Sequence, residues 1–175
     1  MNNSEDLTIR VSGIVDGTGV DGPGFRTSIY FSGCRHACPG CHNPHTWDFG
    51  AGTEMTLGEI LDRIDSNDID VTFSGGDPMY SAGRLLPLAR AVRERGRGLW
   101  IYTGFTWEEL RELGGEAMEL AALADVLVDG RFVAALRDTG LLFRGSSNQR
   151  LIDVAATLRS GSVILYKPDL KPCFD

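Results

Sequence analysis

The sequence predicts an α/β fold: an open, mostly parallel sheet of about four to six strands, part of a (βα) barrel. Three observations carry that prediction. Short runs of strand character alternate with segments of helical periodicity through most of the chain, the pattern of βαβ units with right-handed crossovers. Two capping boxes, Thr56 with Glu59 and Thr106 with Glu109, open helices between those runs. The chain has 175 residues, short of the roughly 250 that a closed eight-unit barrel takes.

In chain order, residues 7–15 alternate as a first strand. Asp16 to Gly24 is a turn-rich loop holding Gly17, Gly19, Gly22, Pro23 and Gly24. Residues 26–32 (RTSIYFS) read as a strand that runs into Cys34. The segment 33–55 is irregular and holds three cysteines, Pro39 and Pro44; loops of such length in compact domains are usually functional. Leu57, Ile60, Leu61 and Ile64 predict a helix over 56–65, and Ile69, Val71 and Phe73 a strand. Leu85, Leu88, Ala89 and Val92 give a helix over 82–95 that Gly96 ends. Leu99 to Tyr102 is apolar throughout, as in a strand covered on both faces. A third helix opens at Thr106, and Val126 to Val128 is a further short strand. Leu151 to Val154 and Val163 to Tyr166 are weaker strand candidates with a short helical piece between them. No repeat, low-complexity tract or linker interrupts the pattern, so residues 1–175 are expected to form one domain.

Composition narrows the function. The chain is 42% apolar and 23% charged, ordinary for a globular protein, and its formal charge is −7. Basic residues are scattered rather than striped, so nucleic acid is not an expected partner. The longest apolar runs are far below the roughly 20 residues that span a bilayer, so no membrane contact is expected either. Met1 to Asp6 is polar and acidic, unlike a secretory signal, and the expected compartment is the cytoplasm. Three of the four cysteines fall within eight residues, too close to staple distant parts of a fold. Thiols crowded in this way in a cytosolic protein bind metal or do redox chemistry.

Cys34, Cys38 and Cys41 lie four and three residues apart on one loop. Thiolates suit iron–sulfur clusters, whose usual ligand count is four; three leave one iron open to a small ligand. A structural zinc site is the alternative, with His42, His36 or His45 completing Cys₃His, although such sites usually bring ligands in two separated pairs. His36 and His45 otherwise read as solvated loop histidines, and Cys173 is not expected to be a ligand.

The Cys34-x₃-Cys38-x₂-Cys41 spacing, just after the first parallel strand, resembles the signature of the radical S-adenosylmethionine superfamily. Ser74-Gly75-Gly76-Asp77-Pro78 follows the next strand and is similar to that family's Gly-Gly-Glu-Pro segment, with Asp in place of Glu. Longer stretches resemble one subgroup, the activases of anaerobic ribonucleoside-triphosphate reductase. They are DGPGFRTSIYFSGC (Asp21 to Cys34), CPGCHNPHTW (Cys38 to Trp47), VLVDGRF (Val126 to Phe132) and RGSSNQR (Arg144 to Arg150).

The resemblance implies a fold of the radical S-adenosylmethionine type and a [4Fe–4S] cluster on Cys34, Cys38 and Cys41. S-adenosylmethionine would chelate the open iron and be cleaved reductively to methionine and a 5′-deoxyadenosyl radical. That radical would take a hydrogen from a glycine Cα of the partner, a glycyl radical enzyme, with electrons from an external donor such as flavodoxin. Gly75, Gly76 and Asp77 would contact the cofactor, their glycines allowing close backbone approach and their exposed N–H and C=O groups meeting the methionine amino group. The family's aromatic residue between the last two cysteines is replaced by Gly40, so the adenine contact is assigned to the Gly40 backbone and His42. Asp129 would help hold a monovalent cation or the cofactor, or else cap a helix or turn. Arg144 to Arg150 has little apolar content and reads as a surface loop whose Ser146, Ser147, Asn148 and Gln149 would donate to the cofactor or the partner, or else form a plain polar turn. Arg26 would meet a carboxylate of the cofactor or the partner, or form a surface ion pair.

Gly17 to Gly22 matches a dinucleotide fingerprint in spacing, but that fingerprint needs a helix to follow, and here a strand does. Three other functions remain open from sequence: a radical enzyme acting on a small purine-like molecule, an activase of another glycyl radical enzyme, and a non-enzymatic zinc module.

Overall fold

The computed structural model describes residues 7–168. Met1 to Asp6 and Cys173 lie outside them. Seven strands form one open sheet: β1 (Thr8–Thr18), β2 (Arg26–Phe31), β3 (Thr53–Thr56), β4 (Asp70–Gly75), β5 (Leu99–Tyr102), β6 (Val126–Asp129) and β7 (Arg150–Asp153). The helices are α1 (Leu57–Asn67), α2 (Ala82–Glu94), α3 (Trp107–Leu113), α4 (Gly115–Ala122) and α5 (Val154–Ser160). Spatial order is β3-β1-β2-β4-β5-β6-β7.

The four central strands β2, β4, β5 and β6 are mutually parallel, and β1, β3 and β7 join antiparallel at the flanks. Connection length decides which is which. Each step between parallel neighbours carries at least one helix, whereas β1 and β2 are joined by a tight loop that can close only an antiparallel hairpin. The expected open, mostly parallel α/β sheet is therefore found with a parallel centre and antiparallel margins.

Both capping boxes form: the Thr56 and Thr106 side chains accept from the Glu59 and Glu109 amides, and each glutamate returns a bond to the cap backbone. Other boundaries differ from the sequence reading. The third helix breaks into α3 and α4 because Gly114 and Gly115 take φ of +60° and +54°. β3 emerges from the segment read as irregular; its residues Thr-Glu-Met-Thr are mostly exposed and carry no apolar alternation. Val163 to Tyr166 forms no strand, only a single bridge from Leu165 to Ile152.

Side-chain alternation splits the sheet into two unlike faces. Ile29, Phe31, Val71, Phe73, Ile101 and Leu127 point to the helices and pack with Ile60, Ile64, Leu85, Leu88, Leu110 and Leu120. Phe31 meets Phe73 edge-on at 5.1 Å. The opposite face is mixed: Arg26, Ser28, Tyr30, Thr72 and Ser74 on β2 and β4, then Trp100, Val126, Val128 and Leu151, partly covered by Phe143 and Tyr166. Arg26 is 1% exposed at the start of β2. It donates to Thr72 Oγ1 and to the carbonyls of Val71 and Gly98, and its guanidinium lies over Trp100. β2 runs from Arg26 toward the cysteine loop, so this arginine is held at the far end of the strand from the thiols. No helix among the described residues is long and apolar enough to cross a membrane.

Leu88 is fully buried between α2 and the sheet, whereas Thr56 only caps a helix at the surface. Leu88→Ala should cost about 2–5 kcal/mol and Thr56→Ala about 1 kcal/mol. Urea unfolding checks this, and equal shifts in midpoint would contradict the packing described here.

Candidate functional site

The irregular loop after β2 is closed at its base by main-chain bonds, Gly33 N–H to the Thr46 carbonyl at 2.8 Å and Cys34 N–H to the Trp47 carbonyl at 3.0 Å. Within it, Ala37 takes φ +48°, and Cys38-Pro39-Gly40-Cys41 makes a tight turn. Proline at the second position, Gly40 at φ +76° and Cys41 N–H on the Cys38 carbonyl at 3.1 Å are the marks of a type II turn. This turn brings Cys38 and Cys41 round to the same side as Cys34. All three sulfur-bearing residues are half-buried and line one cavity of about 120 Å³.

The rest of that cavity comes from the C-terminal ends of the parallel strands, where ligand sites of open α/β sheets lie. Ser74, Gly75 and Gly76 follow β4's course, Tyr102, Thr103 and Gly104 end β5, and Gly130, Arg131 and Phe132 leave β6. The segment after β4 presses on the cysteine loop: Gly76 N–H donates to the Phe31 carbonyl at 2.8 Å and Asp77 N–H to the Gly33 carbonyl at 2.9 Å. A Cβ on Gly76 would stand 2.5 Å from the Gly33 oxygen. Those two amide hydrogens are thus already donated, and what the segment has left for an incoming amino group is carbonyl oxygen. A second cavity of about 340 Å³ adjoins the first, sharing Cys41, Ser74, Tyr102, Phe132 and Gln149 in its wall and adding Asp21, Tyr30 and His42.

Burial pushes the Cys34 thiol up to about 11, with Asp77 and the other two cysteines adding to the shift; burial also raises Cys38. Without metal both are protonated at neutral pH and are poor nucleophiles, which argues against thiol catalysis. The Cys41 sulfur also accepts from the Asn43 main-chain amide at 3.4 Å. Such donors stabilise thiolate once metal has displaced the protons, and they tune iron–sulfur centres. Among the described residues no three His, Cys, Asp or Glu side chains are gathered tightly enough to hold one ion. The thiols are instead spread around a common cavity, a donor set that fits three metal atoms of one cluster with one sulfur each.

The other residues singled out from sequence divide by position. Gly75 and Gly76 line the first cavity and His42 the second. Gly40 is on neither wall; its φ of +76° is one that L side chains rarely adopt, and a Cβ there would touch the Phe132 ring at 3.4 Å. Phe132 supplies the aromatic surface instead, 5.1 Å from the His42 ring. Asp77, 2% exposed, spends its carboxylate on Met79 N–H, Thr103 Oγ1, Gly104 N–H and His36 Nε2. Asp129 accepts from the Trp107 amide at 2.8 Å and from the Arg150 guanidinium, so it caps α3 from a neighbouring strand. Ser146 and Asn148 face the protein: Ser146 Oγ accepts from Val133 N–H, and Asn148 Nδ2 donates to the Arg131 carbonyl. Gln149 donates likewise to the Gly130 carbonyl, so the 144–150 loop clamps the backbone that presents Arg131 and Phe132.

His36 differs most from its sequence reading, because its side chain is 4% exposed rather than solvated. Gln149, one of the donors expected on the 144–150 loop, lines both cavities, and Arg131, Phe132 and Tyr102 are cavity residues that sequence reasoning missed. Their one available signal was position just after an apolar strand, in Val126 to Phe132 above all.

Comparison with known proteins agrees with this geometry. The family described as "4Fe-4S single cluster domain" matches residues 20–152. The anaerobic ribonucleoside-triphosphate reductase-activating protein of Salmonella typhimurium is 40% identical over 141 residues, covering 74% of this chain and 89% of that protein. Its namesake in Escherichia coli K12 is 38% identical over 140 residues, with the same coverage of both chains. That of Enterobacteria phage T4 is 35% identical over 140 residues, 75% of this chain and 86% of the phage protein. The chain belongs to the anaerobic ribonucleoside-triphosphate reductase-activating family. The cofactors of the family, a [4Fe–4S] cluster and S-adenosylmethionine, fit a cavity walled by three thiols and a glycine pair.

Gly76→Ala sets a side chain against the Gly33 backbone, which cannot swing aside. S-adenosylmethionine binding to the reconstituted protein, measured by equilibrium dialysis, should weaken by about tenfold or more. Gly58→Ala, whose Cβ has no neighbour closer than 4.0 Å, is the control and should bind as wild type does.

Proposed function

We propose that this protein activates an anaerobic ribonucleoside-triphosphate reductase by generating a glycyl radical on it, with Cys34, Cys38 and Cys41 as the three ligands of a [4Fe–4S] cluster. The observation that carries the reading is the set of three thiols around one cavity at the C-terminal edge of the parallel strands. When bound, the cluster supplies one electron to the sulfonium of S-adenosylmethionine, whose cleavage gives methionine and the radical that takes the glycine hydrogen.

The chain's own residues would place and shield that chemistry. Carbonyl oxygens of the Gly75-Gly76 segment would accept from the methionine amino group, and Phe132 with His42 would offer the flat apolar surface that adenine needs. The adjoining cavity leaves room for a segment of the partner beside the reacting carbon. Tyr30 and Tyr102 in its wall are pushed well above the ordinary phenol range by burial, so they stay neutral, and Tyr30 donates to Asp21 at 2.5 Å. These neutral phenols, with the Phe132 ring, would help keep water from a reactive carbon centre. No general acid or base is required.

Within this reading the whole chain, 1–175, is one domain of the partial-barrel radical S-adenosylmethionine type, working in the cytoplasm with an external donor such as flavodoxin. It assigns no role to nucleic acid or membrane; a formal charge of −7 disfavours the former.

The test is anaerobic incubation of the reduced, reconstituted protein with S-adenosylmethionine, with and without the candidate reductase. Wild type should form 5′-deoxyadenosine, and a doublet in the electron paramagnetic resonance spectrum should arise only with the reductase present. Alanine at Cys34, Cys38 or Cys41 should abolish both signals. A doublet that survives any of these three substitutions, or colourless protein holding zinc, would sink the reading.

A further inference from the structure

His36 sits between the first two cysteines, on a stretch with no regular hydrogen-bond ladder. Its ring nevertheless has four specific partners. Arg131 Nε reaches Nδ1 at 3.1 Å, and since a guanidinium can only donate, Nδ1 accepts and Nε2 carries the ring hydrogen. Nε2 therefore donates to Asp77 Oδ2, at 2.8 Å. The ring meets Phe105 edge-on at 4.6 Å and Tyr80 at 5.4 Å. Its close seat against the chain explains a further residue, Gly104, where a Cβ would fall 2.4 Å from the imidazole Cδ2.

These partners belong to different parts of the sheet. Asp77 follows β4, Gly104 and Phe105 follow β5, and Arg131 follows β6. Asp77 itself ties the first two together through Thr103 Oγ1 at 3.0 Å and Gly104 N–H at 2.8 Å. One imidazole thus joins the cysteine loop to all three strand ends that complete the cavity wall.

We propose that His36 is a positioning residue that locks the Cys34–Cys38 stretch to the ends of β4, β5 and β6, and so sets where a cluster on these thiols stands relative to Gly75 and Gly76. The inference rests on the reading of the thiols as cluster ligands and deepens it. The hydrogen bond to Asp77 does the fixing, and the aromatic contacts keep water from competing with it.

Three variants separate these contributions. His36→Gln keeps an N–H donor for Asp77; His36→Phe keeps only ring packing; Gly104→Ala expels the ring without altering it. In the folded apo-protein, alkylation of Cys34 and Cys38 by iodoacetamide, followed by mass spectrometry, should be about tenfold faster in His36→Phe and Gly104→Ala than in wild type. Their thermal midpoints should fall by no more than a few degrees, about the scale of one lost hydrogen bond, since Asp77 keeps its other three donors. After reconstitution, these two variants should raise KM for S-adenosylmethionine about tenfold with a smaller change in kcat, and should alter the spectrum of the reduced cluster with S-adenosylmethionine bound. His36→Gln should restore KM and both alkylation rates to within about threefold of wild type.

Wild-type behaviour of His36→Phe overturns the proposal, as does failure of His36→Gln to rescue. A fall in thermal midpoint that tracks every other loss overturns it too, since His36 would then serve only global stability. If wild type takes up no cluster, the proposed function fails, while the alkylation rates of the apo-proteins still decide whether His36 holds the loop.

Discussion

The site depends on two stretches of backbone approaching more closely than side chains allow. Gly33, leaving β2, and Gly76, leaving β4, touch main chain to main chain, joined by the Asp77 amide on the Gly33 carbonyl at 2.9 Å. The contact needs no energy beyond an ordinary hydrogen bond, but it requires the absence of a Cβ on Gly76, while the bare Gly33 makes room for the Phe49 ring. Through it a loop without ladder bonds of its own becomes registered against the rigid parallel strands. The three thiols inherit that registration, and a cluster held by them can be placed only as accurately as the loop itself.

The two sheet faces show how the same strands serve packing and chemistry. One face is a dry aliphatic and aromatic layer under the helices, which supplies the bulk of the stability. The other carries hydroxyls, tyrosines and a buried arginine. Burying Arg26 is tolerable because five acceptors, among them the Asp70 carboxylate at 3.4 Å, and the Trp100 ring surround it, so its charge is not left uncompensated. Burial pulls it below its ordinary range, against the pull of Asp70, but a guanidinium starts far enough above neutrality to stay charged. This arrangement leaves the opposite, C-terminal end of the strands free for the cysteine loop and its cavity.

Around the cavity, charge is consistently paired inside the protein rather than offered to a ligand. Asp129 goes to Arg150 and the start of α3, Asp77 to four donors, and the polar 144–150 loop to the backbone of Gly130, Arg131 and Val133. The groups left facing the cavity are thiols, neutral hydroxyls, an aromatic ring and backbone, together with the cationic Arg131 held on His36. Radical transfer needs no proton donor or acceptor, so pairing these charges leaves the wall to position and shield the reacting carbon.

The sequence alone determined what neighbours in the chain encode. Helical and strand periods, both capping boxes, the tight Cys38–Cys41 turn residues and the cysteine spacing are local, and each was legible as written. The family followed from the same local motifs. Tertiary structure alone decided what depends on distant residues. It set the antiparallel margins of the sheet, the burial of His36 against Asp77 forty-one positions away, and the diversion of Asp129 to Arg150. It also brought the Phe132 ring alongside Gly40 and His42. A side chain's residue type states what bonds it can make, but only the packed fold decides which partner reaches it first.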